Sequence, residues 1–369
     1  MIERTFILVL SNLLAVGLLF FSLRPALKCR FNQRNLVWIF PVLILFCLFS
    51  FWGPDWFHYM ESYELLKGRA DLFSQLEPFY RELIELTPNY LIFRLAIWGT
   101  AIVFTFIAFK LLNLDLGLAS YFFVICSLIW FSYGRVSLAF AISLLGISIL
   151  LCNRRRLFSV PLGILLLLSS IYFHKSAVFI IGIAFMTVIL QRFPQGIYKT
   201  MIFLFPLLAI LVTVLLSSFM NFVVSDESDL IQTVEYGQRY LSHNSTGLHF
   251  GSLGIIPSKI LEWLPKYFVA YICLKLIKND NGNMPKQMMF FCVMYFLIMY
   301  VSSFFIFDLG YSTSTIFSRF QRFAILPEVV VMTYFIESGT QMHLTKKAHF
   351  LFIASTFYTL LYQTYCAIG

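Results

Sequence analysis

Long apolar runs alternate with short polar connections along the whole chain. The runs lie near 5–23, 36–52, 90–109, 116–133, 136–152 and 157–173. Six more lie near 176–190, 200–224, 264–278, 287–306, 323–342 and 348–367. Most approach the roughly 20 residues a helix needs to cross a bilayer's hydrocarbon core. Inside hydrocarbon, backbone groups must bond within their own segment, so each run is expected to be a helix. The pattern predicts an all-α polytopic membrane protein with about twelve transmembrane helices, forming one integral membrane domain over 1–369. The runs 176–190 and 264–278 are short, which makes those helices tilted, extended or partly re-entrant. The first run is long for a signal-peptide core, and no small-x-small cleavage site follows it. It is read as a retained helix.

Composition supports this reading. Hydrophobic types make up 60% of the 369 residues and charged types 12%, with mean hydropathy +0.82. A soluble domain carries about 25% charged residues. An ordinary soluble enzyme, a disordered tail protein and a nucleic-acid binder are therefore excluded. The net charge of +9 has another meaning, seen in its distribution. One set of connections holds Arg24, Lys28, Arg30, Arg34, Lys110, Arg154, Arg155, Arg156, Arg192, Lys199, Lys275, Lys278, Lys286, Lys346 and Lys347. Only three acids, Asp115, Asp280 and Glu337, share that side. Excess Lys and Arg marks the cytoplasmic face. Both termini and the two long polar loops, 53–89 and 225–263, then fall on the outer face. An enzyme using a soluble nucleotide-activated donor would need its polar site on the opposite side. The seven cysteines form no C-x-x-C pair and lie in or beside apolar runs. They read as small buried hydrophobes, with no disulfide framework and no zinc pattern.

Cations on the outer side run against this trend, so each needs a reason. Arg94 lies just inside a helix start. Arg135 lies in the turn Ser132-Tyr133-Gly134-Arg135, and His174 and Lys175 lie in another short turn. Arg319 and Arg322 precede a span and share a face if that stretch is helical. Charges at membrane depth are costly and face a cavity or a partner. Guanidinium groups near the outer boundary suit a membrane-anchored phosphate or pyrophosphate, whose oxygens fit the planar fork. The plainer alternative for Arg94 and Lys175 is that they reach out to lipid headgroups or pair with Glu82 or Glu85.

Two carboxylates of the first long loop stand apart. Asp55 follows Gly53-Pro54 directly at the end of a span and is placed to cap a new helix. Trp56, Tyr59, Met60, Tyr63 and Leu66 then recur at helical spacing, which predicts an amphipathic helix lying at the interface. Glu77 precedes Pro78, so its backbone is expected to be extended with a helix beginning after it. Either carboxylate could do acid/base work on a sugar hydroxyl. Capping alone also accounts for Asp55, and a solvated loop position for Glu77. Glu61, Glu64, Asp71, Glu82 and Glu85 read as solvated faces. His174 suits either acid/base work, donation to a phosphate, or a structural role. The other histidines show no ligand spacing, so no metal site is expected. The loop 225–263 loosens at Gly247-Leu248-His249-Phe250-Gly251-Ser252-Leu253-Gly254. That run is no Walker motif and is compatible with a flap over a substrate.

These residues carry a family resemblance. Asp55 and Tyr59 follow a second span, and Glu77-Pro78-Phe79-Tyr80 comes next. Arg135 then heads an apolar helix, basic residues stand at 154–156, and Phe173-His174-Lys175-Ser176-Ala177 and Arg319-Phe320-Gln321-Arg322-Phe323 follow. Over roughly 35–340 the chain resembles the EpsG family, a branch of the Wzy-like O-antigen and capsule polymerases. The resemblance implies a fold similar to C-type glycosyltransferases and O-antigen polymerases and ligases. It implies a multi-pass protein of the bacterial cytoplasmic (inner) membrane with its site facing outward. The implied substrates are oligosaccharide repeat units on undecaprenyl pyrophosphate, and the reaction transfers a growing chain onto a new lipid-linked unit. A chain-length regulator and a flippase are implied neighbours, and no cofactor is implied.

On that reading Arg135, Arg319 and Arg322, helped by Lys175, stabilise the pyrophosphate leaving group. Asp55, His174 and Glu77 are the candidate bases. Three other readings compete. A carrier or flippase for lipid-linked glycans would place polar groups at mid-membrane, whereas here they gather at the outer rim. A C-type glycosyltransferase using a polyprenyl-phosphate sugar donor would show a double-acid motif in an early outer loop, which is missing. A membrane acyltransferase would show a histidine–acid pair within a span.

Overall fold

The protein is described by a computed structural model. It describes residues 56–68, 77–127, 134–152, 156–174, 177–190, 292 and 325–341. Helices α1 (Trp56–Leu66) and α2 (Pro78–Leu86) come first. Then follow α3 (Tyr90–Leu111), α4 (Leu116–Ser127), α5 (Gly134–Cys152), α6 (Arg156–Phe173), α7 (Ala177–Leu190) and α8 (Ile325–Gln341). No strand occurs among the described residues. Helix α3 is long and apolar enough to cross a membrane, and Val136–Leu151, Phe158–Phe173 and Ile325–Phe335 are shorter apolar helices. Six of the twelve expected runs are thus helical where described. The other six lie outside the described residues, except for Cys292, which is helical and buried.

Local chemistry sets the helix boundaries. Pro78 opens α2, and Glu77 before it has ψ 137, the extended conformation that a following proline imposes. Thr87 closes α2 by donating its backbone N–H and its hydroxyl to the Leu83 carbonyl. Asn89 caps α3, its Oδ1 accepting from Ile92 N at 2.9 Å. At the other end of α3, Asn113 takes φ 55, a conformation that asparagine tolerates better than most side chains. Asp115 then caps α4, accepting from Leu118 N at 2.9 Å. Within α3, residues Leu95–Gly99 form a π-helical turn directly after Arg94.

Packing assembles these helices around an apolar interior. Phe106 and Phe109 of α3 meet Phe123 of α4 edge to face, with centroids 5.7 and 6.5 Å apart. Helices α5 and α6 form an antiparallel hairpin whose close approach depends on two glycines. A Cβ on Gly163 would lie 2.5 Å from Leu150 Cγ, and one on Gly146 would lie 3.0 Å from the Gly163 carbonyl oxygen. Small residues at such crossings let helices approach where no hydrophobic effect drives them together. Ser143 and Ser170 bridge the same crossing, Oγ to Oγ, at 2.9 Å. Helix α7 lies against both, and α8 packs on α4 and α5. The outward stripe of α6, Phe158, Leu162, Leu165, Leu168 and Tyr172, is exposed and almost wholly apolar, a face suited to hydrocarbon rather than water.

Helix α5 is described from Gly134 onward, so Arg135 belongs to it. Gly134 presents no Cβ to the neighbouring ring of Trp98. In α1, Tyr63 and Leu66 are buried against the chain itself, where the helix meets α2 and α3.

Candidate functional site

Helix α2 joins elements that are distant in sequence. Tyr80 on its buried face meets Phe93 of α3 edge-on, with centroids 5.3 Å apart. Tyr63 of α1 packs on the same Phe93 at 5.1 Å and donates its hydroxyl to the Thr87 carbonyl at 2.7 Å. Phe79, one residue before Tyr80, reaches the other way to Phe173 at the end of α6, with centroids 4.7 Å apart. The first turn of α2 therefore lies between the start of α3 and the end of α6. Glu77 precedes that turn, and His174 follows Phe173.

Glu77 is 8% exposed, so it is not the solvated loop carboxylate that the sequence left open. Its carbonyl accepts from Tyr80 N and Arg81 N at 3.1 and 3.2 Å, which anchors the residue to the helix it precedes. Glu61, Glu64, Glu82 and Glu85 are exposed, in line with the sequence reading. His174 is partly exposed and shapes the link between α6 and α7. Its N–H donates to the Ser170 carbonyl at 3.1 Å, and its own carbonyl accepts from Ala177 N at 3.0 Å.

Arg94 corrects an expectation. It does not reach out to headgroups, because it is 4% exposed. Its guanidinium carbon lies 5.0 Å from the Trp98 ring and 5.9 Å from the Tyr90 ring, within cation–π range of both. Trp98 in turn lies against Gly134 of α5. Arg94 and Trp98 thus connect Gly134 of α5 with Tyr90, whose ring meets Tyr63 and Phe93. The sequence singles out Arg94 as an outer-side cation but leaves open whether it reaches headgroups, pairs with Glu82 or Glu85, or faces a phosphate. The available signal was its place in the face Tyr90, Arg94, Trp98, where aromatic and cation recur every fourth residue. Glu328 was passed over. It is 3% exposed, among Leu326, Val329, Val330 and Val331 in α8, and an ionisable group inside an apolar run is itself a functional signal.

Asp55, Lys175, Arg319 and Arg322 lie outside the described residues, as does the loop 225–263. The contacts of Phe79 with Phe173 and of Trp98 with Gly134 link the segments that bear Glu77 and His174 on the one hand and Arg94 and Arg135 on the other. The described residues of this region include a buried carboxylate at Glu77, a partly exposed histidine at 174 and a buried cation at Arg94. Such a set can take a proton from a hydroxyl and stabilise an anion beside it. Among the described residues, no group of three His, Cys, Asp or Glu could hold a metal ion.

Comparison with known proteins places the chain in a family. The model of the EpsG family matches residues 35–367, and the chain belongs to that family, one of polysaccharide polymerase-like membrane proteins. No curated protein and no solved structure matches it. The family found is the one its short motifs resemble, and it supports a place in a membrane and a role in polysaccharide biosynthesis.

Proposed function

We propose that this EpsG-family chain is a polysaccharide polymerase of the bacterial cytoplasmic membrane, working at its outer face. It transfers a growing glycan from undecaprenyl pyrophosphate to a hydroxyl of a new lipid-linked repeat unit. The observation that carries the reading is the match of residues 35–367 to the EpsG family, and it is supported by the burial of Glu77 and Arg94 in segments tied to α6 and α3 by the Phe79–Phe173, Tyr80–Phe93 and Arg94–Trp98 contacts. In a polysaccharide-biosynthesis membrane protein, a carboxylate and cations near an aromatic wall suit a sugar hydroxyl and a lipid diphosphate.

In the proposed step, the hydroxyl oxygen of the acceptor sugar forms a bond to the anomeric carbon of the growing chain. The bond from that carbon to the pyrophosphate oxygen breaks, and its electron pair leaves with undecaprenyl pyrophosphate. The hydroxyl proton passes to a base, for which Glu77, Asp55 and His174 are candidates. Charge grows on the leaving phosphate as the bond breaks, so cations already in place stabilise the transition state more than the ground state. Arg135, Arg319 and Arg322, with Lys175, are assigned that role.

The test uses membranes bearing the full chain and lipid-linked repeat units taken from cells that lack it. The wild-type protein should yield a ladder of extended products. Arg135→Ala and Arg319→Ala, with protein still inserted, should leave single units. Normal ladders in both variants would remove the cation clamp. A carrier would make no new glycosidic bond, and a monosaccharide transferase would extend by one sugar only.

A further inference from the structure

We infer that Arg94 is a positioning residue of the same site, acting through Trp98 and Gly134 on the start of α5 and so on Arg135. The inference deepens the polymerase reading and rests on it for the role of Arg135. The geometry it begins from does not depend on that reading.

Tyr90, Arg94 and Trp98 follow one another at intervals of four on α3, and the π-helical turn Leu95–Gly99 begins immediately after Arg94. A π-helical turn inserts an extra residue into helical spacing and recurs at functional sites. Both Arg94 and Trp98 are almost fully buried, at 4% and 3% exposed. Burying a guanidinium in an apolar helix is expensive, so its retention needs a compensating contact. The rings of Tyr90 and Trp98 supply one, with the cation 5.9 and 5.0 Å from their centroids.

Trp98 passes that contact onward. A Cβ on Gly134 would stand 3.0 Å from both Cη2 and Cζ2 of the indole and 3.1 Å from Ile97 Cγ2. The indole therefore rests against bare backbone at Gly134 of α5. Its Nε1 is buried and has no hydrogen-bond partner among the described residues. The indole is placed by packing rather than by a hydrogen bond, with Arg94 over its ring and Gly134 against its edge. Removing the guanidinium frees the indole, and with it the surface against which α5 begins. Arg135 is the next residue of that helix. Displacing a substrate-binding group by about 1 Å can cost on the order of a hundredfold in rate.

The experiment measures ladder formation per inserted full-length protein, with lipid-linked units from cells that lack the chain, and separates KM from kcat. Arg94→Met should lower kcat about tenfold with little change in KM, the mark of a contact that acts mainly in the transition state, and Arg94→Lys, which keeps a cation over the indole, should recover most of the loss. Gly134→Ala should reproduce the effect with Arg94 intact, and it keeps the inference testable if Arg94→Met fails to insert. A double-mutant cycle pairs either variant with Arg135→Lys. Action through Arg135 requires that the combined loss fall well short of the product of the single losses. An unchanged kcat in the single variants, or losses that multiply, would overturn the inference. The polymerase reading fails by a different result, a wild-type protein that makes no ladder or Arg135 variants with normal ladders.

Discussion

Phe79 and Phe173 stack with their centroids 4.7 Å apart and their planes tilted by 33°, joining the first turn of α2 to the last residue of α6. Glu77 and His174 flank this pair in the sequence. Two candidate groups from separate parts of the chain are thereby held in one neighbourhood by an aromatic contact in which neither takes part. Tilted pairs of this kind contribute about 0.5–1.5 kcal/mol beyond the area they bury. Phe79→Ala should therefore lower polymer extension more than its modest stability cost explains, because it releases the turn that bears Glu77. A thermal melt of the purified protein beside a ladder assay separates the two effects. Equal, small losses in both would mean that the pair is only packing.

Burial separates Glu77 from the other acids of its loop. Glu77→Gln removes a carboxylate that is 8% exposed, whereas Glu82→Gln changes one on the exposed face of α2. Loss of a general base costs on the order of a hundredfold or more in rate. Extension should fall to that degree for Glu77→Gln and remain near the wild-type rate for Glu82→Gln. Wild-type turnover in Glu77→Gln would pass the role of base to Asp55 or His174.

The α5–α6 crossing has little room for added atoms. A Cβ on Gly163 would meet Leu150 Cγ at 2.5 Å, Leu150 Cδ2 at 2.8 Å and the Gly146 carbonyl at 3.0 Å, and backbone cannot swing aside as a side-chain tip can. Gly163→Ala should destabilise the protein by about 1–3 kcal/mol, the usual cost of overpacking. Gly182→Ala on α7 meets nothing within 4 Å and should be neutral or gain up to about 1 kcal/mol from helix propensity. Melting temperatures of the two variants in one detergent provide the comparison.

The serine bridge at the same crossing should matter much less. Ser143 Oγ donates at 2.8 Å to the Ala139 carbonyl as well as at 2.9 Å to Ser170 Oγ, and Ser170 Oγ donates to the Leu167 carbonyl at 2.6 Å. A hydroxyl has one proton, so the bridge competes with bonds inside each helix. Interhelical hydrogen bonds in membrane proteins average about 0.6 kcal/mol. A double-mutant cycle on Ser143→Ala and Ser170→Ala should give a coupling of about that size, smaller than the Gly163 effect. A coupling of several kcal/mol would show the bridge to be the main fastening of the hairpin.

Two donors close the C-terminus of α2. Tyr63 hydroxyl and Lys67 Nζ each donate to the Thr87 carbonyl at 2.7 Å, and Lys67 also donates to the Pro88 carbonyl at 2.6 Å. A cation at a helix C-terminus also opposes the negative end of the dipole. Tyr63→Phe should cost about 1 kcal/mol, since Lys67 still satisfies the carbonyl. Adding Lys67→Met should cost more than the sum of the two single changes, because only then is the Thr87 carbonyl left without either donor. Additive losses in denaturation would mean that the pair does not share this task.

Helices were legible in the sequence wherever one local rule decided them. Apolar runs lie under α3 to α8. Pro78 after Glu77 marks the start of α2, and Asn89 and Asp115 stand where caps are needed. Short motifs around Glu77, Arg135 and His174 were enough to indicate the EpsG family. These are properties of neighbouring residues, set by backbone bonding and by the thickness of a bilayer, and a single chain read in order contains them.

Tertiary structure alone decided which of those residues meet. Nothing in the order of residues places Phe79 on Phe173, Gly134 under Trp98 or Gly163 against Leu150. Each contact depends on how side chains from distant segments fill the space between two helices. Burial is decided in the same way. Arg94 and Glu77 both stand in segments open to a solvated reading, yet both are buried, Arg94 beside the rings of Tyr90 and Trp98.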